Sequence, residues 1–225
     1  MNEESQELNG TSALKPFSHP LAPKSLGYLF VRPTKYFQEV KLESKVAYLI
    51  AVYLVGISGA MGRIDTRLLQ ADLGGRDAVT MITDNWMYYW LTVLVAGSIS
   101  GALSWFFLGW WYGYRARLCG FDTGYVRTPR IVWSYSYLVE TLPVLALAIG
   151  YTVLFGSYTT AFYADEYWSV FLLVFPFWSC FTSYAGVRSA LGLEGRKVII
   201  WFLVLPLLFY FLVFGIFGVL GYYFL

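Results

Sequence analysis

The fold of this chain is decided by residues 86–155, which read WMYYWLTVLVAGSISGALSWFFLGWWYGYRARLCGFDTGYVRTPRIVWSYSYLVETLPVLALAIGYTVLF. Two apolar runs, 86–114 and 131–155, flank a basic segment in this stretch. Each run exceeds the roughly 20 apolar residues with which an α-helix crosses a hydrocarbon core of about 30 Å. Charged residues between two such runs belong at a polar surface. The stretch therefore predicts two membrane crossings joined by a turn that contains Arg115, Arg117, Arg127 and Arg130.

The composition agrees with a membrane protein. Of the 225 residues, 58% are hydrophobic and 13% are charged, whereas about 25% are charged in soluble domains. A water-soluble fold cannot bury this much apolar surface. Cys119 lies in the basic turn and Cys180 in a later apolar run, so we expect two free thiols. His19 is the only histidine, and no cluster has metal-ligand spacing, so the sequence predicts neither a metal nor another cofactor.

The other apolar runs predict three further crossings, which makes the fold an all-α bundle of five transmembrane helices. We predict a disordered arm at 1–24, because it is polar and broken by prolines. An interfacial amphipathic segment follows at 25–44, with a short helix near 33–43 on the membrane surface. The transmembrane domain takes up residues 45–225, with crossings at about 45–62, 86–113, 131–155, 168–187 and 198–224.

Small residues recur inside these crossings at a spacing that permits close helix contact. Gly97 and Gly101 are four residues apart, as are Gly109 and Gly113. We expect these pairs to pack within the chain, with a homo-oligomer seam as the alternative. The connection at 63–85 interleaves acids with arginines, which indicates a solvated loop rather than an ion site.

The placement of Lys and Arg predicts the orientation. Six lie before the first crossing or at its first residue, Lys45. The second connection contains four and the fourth contains three, whereas the first connection contains three. The positive-inside rule then places the N-terminus and the second and fourth connections in the cytoplasm, and Leu225 on the opposite face. We expect a bacterial cytoplasmic membrane, with an endoplasmic reticulum or Golgi membrane as the alternative.

Glu140 is the one acid well inside an apolar span, about ten residues from its basic end. One interpretation is a proton or cation site, with the carbonyl that Pro143 frees at Val139 as a second ligand. The other is a neutral carboxyl bonded to a buried partner, for which Ser98 and Ser100 lie at similar depth. The sequence does not separate the two.

The basic residues of the predicted cytoplasmic connections form a second set of candidates. They can contact anionic lipid head groups or an acidic protein partner, or they can serve only to set the topology. The set comprises Arg115, Arg117, Arg127, Arg130, Arg188, Arg196 and Lys197.

Catalytic constellations are not found in the sequence. The triplet Asp122-Thr123-Gly124 matches that of aspartic proteases, but their chemistry needs two carboxylates that share a proton, and the chain has one such triplet. A phosphate-binding glycine loop and a nucleophile elbow are also missing. The sequence therefore predicts a protein that is not an enzyme, and it gives no sign of nucleic-acid binding.

Four stretches, taken in order, resemble the Yip-domain family of five-span membrane proteins, also called Ypt-interacting proteins. They are RPTKYF at 32–37, LCGFD at 118–122, Tyr135 and Tyr137 before Leu142-Pro143, and RSALGL at 188–193 before Lys197. The resemblance implies a protein that shapes or organises membranes, linked in eukaryotes to small GTPases. The chain lacks an Asp-Leu-Tyr-Gly-Pro segment before the first crossing and looks more like the prokaryotic members.

These observations favour a non-enzymatic membrane scaffold or organiser that acts through lipid or protein partners, either membrane or cytoplasmic. The alternative is a small-solute or ion transporter that uses Glu140 in the bundle interior.

Overall fold

A computed structural model describes residues 19–72, 78–122, 127–164 and 168–224. Five of its helical stretches are long and apolar enough to cross a membrane. The chain is therefore an all-α, multi-pass membrane protein, and the predicted fold class is confirmed. The helices are α1 (Pro23–Val31), α2 (Pro33–Glu39), α3 (Lys45–Asp72), α4 (Ala78–Thr83), α5 (Trp86–Leu118), α6 (Arg127–Leu154), α7 (Tyr158–Ala164), α8 (Trp168–Leu172), α9 (Val174–Leu191), α10 (Arg196–Ile199) and α11 (Leu205–Phe224), with a π-helical turn (Ile200–Val204) between the last two.

The candidate spans coincide with the five predicted crossings but extend further at several ends. They are Lys45–Gln70, Trp86–Leu118, Arg127–Leu154, Val170–Leu191 and Arg196–Ile216. The predicted loop after the first crossing is partly wrong. Helix α3 continues to Asp72 and α4 follows it, where a loop was expected at 63–85. Helix α7 likewise occupies part of the connection between the third and fourth crossings. Both segments lack proline and gain burial against the bundle, for example at Leu68 and Ala161.

The contact between α3 and α5 is the most extensive in the bundle. A Cβ placed on Gly56 would lie 2.1 Å from the carbonyl oxygen of Gly97 and 2.4 Å from the nitrogen of Gly101. The two backbones therefore touch directly, as small residues allow in membrane helices. On the other side of α5, Gly109 provides space for Arg130 of α6. The prediction that the glycine pairs pack within the chain is confirmed.

The N-terminal helices α1 and α2 pack on the bundle, against α9 and α6. Tyr36 and Phe37 of α2 are buried, and the Phe37 ring lies where a side chain at Gly186 of α9 would otherwise be. The apolar side of the predicted surface helix therefore faces protein. Residues 19–24 of the predicted arm are part of the described chain, and the Tyr36 hydroxyl donates to the carbonyl of Pro20 at 3.3 Å. Residues 1–18 lie outside the described part of the chain.

The two ends of the bundle differ in chemistry. We call the end that holds Arg115, Arg130 and Arg188 the basic end, and the other the Asp65 end. At the Asp65 end the Tyr158 hydroxyl donates to the Asp65 carboxylate, while its ring stacks on Tyr89 with centroids 4.0 Å apart. Burial, followed by the Asp65 charge, raises the pKa of Tyr158 well above its usual range. Tyr158 is therefore neutral and acts as a hydrogen-bond donor.

Candidate functional site: a cavity beside Arg115

A cavity of about 490 Å³ lies near the basic end, between α5, α6, α9 and the last helical stretch. Sites for small molecules measure about 300–1,000 Å³, so the space suffices for a ligand or part of a lipid. Arg115 is the only charged residue among the described residues that line it. The other polar lining residues are Tyr112, Ser136, Tyr137, Ser179, Cys180, Ser183 and Tyr210.

Arg115 is held by aromatic rings rather than by an acid. Its guanidinium carbon lies 5.1 Å from the centroid of the Tyr112 ring and 4.9 Å from that of Phe202. Its Nη1 donates to the carbonyl of Trp201 at 3.2 Å, whereas its Nε is buried without a partner. Among the described residues Arg115 forms no salt bridge. Its positive charge therefore remains without a counterion at the wall of the cavity.

The Trp201 carbonyl is free to receive this bond for a local reason in the backbone. At the π-helical turn the N–H of Leu205 bonds to the carbonyl of Ile200 and so bypasses Trp201. The next residue, Pro206, has no N–H to donate. The Trp201 carbonyl thus lacks a helical donor, and Arg115 takes that place. Turns of this kind occur frequently at functional sites.

Hydroxyl groups also line the cavity. The Ser183 hydroxyl lies 3.0 Å from the Tyr112 hydroxyl, which itself donates to the carbonyl of Ser183 at 3.3 Å. Ser136 and Ser179 donate to carbonyls of their own helices, at 2.8 and 2.7 Å. These bonds satisfy the serine donors locally but leave lone pairs on the oxygens. The wall can therefore accept hydrogen bonds from a ligand.

The cavity also borders the membrane side of the bundle. Leu108 and Trp111 of α5 are each 42% exposed, and Phe209 of α11 is 61% exposed. Such side chains on a transmembrane helix face lipid. An acyl chain can therefore enter between α5 and α11 while a head group stays beside Arg115.

Glu140 lies at the deep edge of this region, one turn of α6 beyond Tyr137. It interacts electrostatically with Tyr137, with Cys180 of α9 and with Tyr210 of α11. Its Oε2 is buried and has no hydrogen-bond partner. Pro143 sits inside α6 without ending the helix. The third crossing thus places an unpaired carboxyl in the bundle interior.

One interpretation of the sequence pairs Glu140 with Ser98 or Ser100, but among the described residues neither serine bonds to it. Ser98 is exposed and donates to the carbonyl of Leu94 on its own helix at 3.3 Å. The Ser100 oxygen faces α3, 2.9 Å from where a Cβ on Gly59 would be. One serine is exposed and the other is directed towards α3, which an estimate of depth from the sequence does not reveal.

The other basic candidates are arranged differently from Arg115. Arg127 bonds to the Tyr48 hydroxyl and covers the Tyr48 ring, and Arg188 pairs with Glu194 at 3.4 Å. Arg130 packs against Gly109, with its Nε buried and unpaired. The remaining three are exposed: Arg117, Arg196 and Lys197.

Sequence reasoning listed Arg115 among seven equivalent cations and missed its special position. Two signals were available. Arg115 follows the aromatic residue Tyr112 by three positions, which is one helical turn, and Pro206 leaves a carbonyl without a donor in the last crossing. The π-helical turn that brings these together has no signature that we find in the sequence.

Comparison with known proteins yields no assignment: no family model, no curated protein and no solved structure matches the chain. The resemblance to the Yip-domain family therefore stays a prediction that rests on the four quoted stretches. Both cysteines are free, as predicted.

Proposed function

We propose that this chain is a non-enzymatic membrane scaffold or organiser of Yip-like type, which binds an anionic phospholipid in the cavity beside Arg115. The observation that supports the proposal best is the guanidinium of Arg115, which is partly buried, stacked on two rings and without a counterion. Ionisable residues within transmembrane segments are rare and by default indicate a functional site. A phosphate group would neutralise Arg115 and accept its unused N–H donors.

The proposed orientation fits this ligand. If the basic end lies in the cytoplasm, as the positive-inside rule predicts, Arg115 is at the leaflet that carries most anionic lipid. Exposed cations at the same end, such as Arg117 and Lys197, then add general attraction to that leaflet. The cavity adds a defined place for one head group.

The test compares two arginines that are two residues apart on α5. We would purify wild type, Arg115→Gln and Arg117→Gln in mild detergent and quantify bound phosphatidylglycerol by native mass spectrometry. We expect Arg115→Gln to weaken binding about tenfold or more, because hydrogen bonds to charged groups contribute about 1.5–3 kcal/mol. Arg117→Gln should bind like wild type, because Arg117 is exposed and does not line the cavity. Equal binding by all three proteins would reject the proposal.

A second candidate function, ion or proton transport, is favoured by the face of α6 on which Glu140 lies. Residues 133, 137, 140, 144, 147 and 151 alternate in steps of four and three, so they share one face. Trp133 and Tyr137 line the Arg115 cavity, and Val144 and Leu147 line a second cavity of about 350 Å³ near Asp65. Glu140 is thus the titratable side chain between two cavities on one helix face.

Proton flux would distinguish this candidate. Vesicles that contain a pH-sensitive dye and the wild-type protein should acidify under an imposed potential, and Glu140→Gln should stop the flux. The matched control is Glu194→Gln, which removes an exposed acid at the basic end. Flux no greater than in protein-free vesicles would exclude proton transport and leave lipid binding as the function to pursue.

A further inference from the structure

A third cavity lies on the side of α5 away from the Arg115 cavity, towards the Asp65 end. It is a groove of about 720 Å³ between α3, α4 and α5. Its lining on α5 runs from Thr92 to Leu108, which is about 24 Å at 1.5 Å per residue. One leaflet of a bilayer contributes only about 15 Å of hydrocarbon. The groove therefore extends past the bilayer midplane.

Two cations lie at the outer end of this groove. Arg63 and Arg67 are one turn apart on α3, and both line it. Both are exposed, and neither forms an ion pair within the described residues. Arg67 donates one hydrogen bond to Gln70 at 3.3 Å, and its charge stays unpaired. A groove that ends at two such cations matches the shape and charge of a phospholipid, with its phosphate at the arginines and an acyl chain along α5.

The groove and the Arg115 cavity meet at a single side chain on α5. Leu108 lines both the groove and the Arg115 cavity. Residues spaced four apart on α5 form a row that leads to Leu108. In this row the groove is lined by Thr92, Ser100 and Ser104. Beyond Leu108 the same row reaches Tyr112, next to Arg115. Polar groups thus follow α5 across the bilayer, with one large apolar side chain between the two halves.

We propose that this row on α5 is a path along which the head group of a phospholipid passes between the two leaflets. Arg63 and Arg67 receive the phosphate at one surface, Arg115 receives it at the other, and Leu108 is the barrier between them. The acyl chains remain in the membrane, because the α5 face beside the row is exposed. The proposal rests on the lipid site proposed at Arg115 and adds movement to it.

The test is lipid exchange in reconstituted vesicles. The full chain would be reconstituted in vesicles of phosphatidylcholine and phosphatidylglycerol. The vesicles would contain a trace of phospholipid with a dithionite-sensitive fluorophore on its head group, and dithionite would then be added outside. Dithionite bleaches only the outer leaflet unless lipids cross. We expect vesicles with the wild-type protein to lose the label of both leaflets.

Substitutions at Leu108 test the path itself, with Leu94 as a matched control. Both leucines lie on α5 and both are 42% exposed, but Leu94 lines neither cavity. We expect Leu108→Trp to slow lipid exchange about tenfold, because the larger ring fills the junction. Leu108→Ser should speed exchange, while Leu94→Trp and Leu94→Ser should match wild type. The serine variants keep the test informative should a tryptophan variant fail to fold.

The outcomes separate this inference from the proposed function. If phosphatidylglycerol binds at Arg115 and only the outer leaflet is bleached, the path is refuted and the lipid site stands. The path is also refuted if substitutions at Leu108 and Leu94 change the rate equally. If exchange depends on Leu108 but Arg115→Gln changes neither binding nor exchange, the path begins elsewhere and the inference in this form is wrong.

Discussion

At the scale of single residues, Glu140 offers a test of how the interior tolerates charge. Its carboxyl has no basic partner within the described residues, and it interacts electrostatically with Tyr137, Cys180 and Tyr210. We expect Glu140→Gln to keep the melting temperature in detergent close to that of wild type. Glu140→Lys should destabilise the fold by about 3 kcal/mol, because an ammonium group at this depth has no acid to pair with. A large loss in Glu140→Gln would instead indicate that the ionised carboxylate is native.

Gly56 provides a second residue-scale prediction, with a control on the same helix. A methyl group on Gly56 would collide with the backbone of Gly97 and Gly101, which cannot move aside cheaply. Gly62 has nothing within 4 Å of such a group. We expect Gly56→Ala to lower stability by about 3 kcal/mol through overpacking. Gly62→Ala should be neutral or slightly stabilising, because alanine favours helix. Thermal unfolding that ranked the two variants in the opposite order would contradict the α3–α5 contact.

Tyr36 connects residue chemistry to pH. Burial, and secondarily the neighbouring Tyr135, raise the pKa of Tyr36 well above its ordinary value. The neutral form of Tyr36 therefore stabilises the fold fully below a pH of about 10, which is the pKa of Tyr in the unfolded chain. Above that pH the free energy of unfolding decreases by on the order of 1 kcal/mol per pH unit.

Alkaline unfolding measures this effect. We expect Tyr36→Phe to make the melting temperature less sensitive to pH above about 10 than it is in wild type. Tyr88→Phe is the control, because Tyr88 is 52% exposed. Equal alkaline sensitivity in both variants would mean that Tyr36 does not hold α2 on the bundle through its neutral form.

At the scale of elements, the π-helical turn and α5 should be energetically coupled through the Arg115 bond to Trp201. In wild type, Arg115→Gln removes the donor from a carbonyl that the turn and Pro206 leave unsatisfied. In a Pro206→Ala background the chain has an N–H at position 206 that can take over. The loss in free energy of unfolding caused by Arg115→Gln should therefore be smaller in the Pro206→Ala background than in wild type, by at least about 0.5 kcal/mol. A double-mutant cycle of thermal unfolding measures the difference, and strict additivity would show that the two elements are independent.

The elements also show what the sequence could and could not predict. Long apolar runs identified all five crossings, because the bilayer imposes their length. The ends of the helices were predicted less well. Helices α3 and α5 continue past the predicted spans through Arg63 and Arg115, because arginine is a good helix former. An estimate of depth could not identify the neighbours of Glu140, because rotation about a helix axis is set by packing with other helices. The position of Arg115 likewise depends on contacts between α5 and the last crossing, which the sequence does not show.

At the scale of the whole molecule, the orientation can be tested with two introduced cysteines. Burial raises the pKa of the Cys119 thiol, although Lys197 and Arg115 act in the opposite direction, so the native thiol is a poor reporter. We would replace Cys119 and Cys180 by serine and introduce Asp122→Cys or Thr160→Cys. Both positions are exposed, at the basic end and the Asp65 end respectively. In intact cells an impermeant maleimide should label only Thr160→Cys, because the positive-inside rule places the basic end in the cytoplasm. Labelling of Asp122→Cys alone would reverse the proposed orientation.

The backbone contact at Gly56 has a consequence for biosynthesis. Gly56, Gly97 and Gly101 all belong to the first two crossings, so α3 and α5 can join in the membrane before α6 has been translated. Arg115 is made with this pair, but the Trp201 carbonyl and the Phe202 ring that hold it arrive with the final crossing. Every nascent chain therefore passes through a stage in which the guanidinium lacks these two contacts. A chain that stalls or is truncated before residue 201 exposes that cation within the membrane, where quality-control factors can recognise it as incomplete.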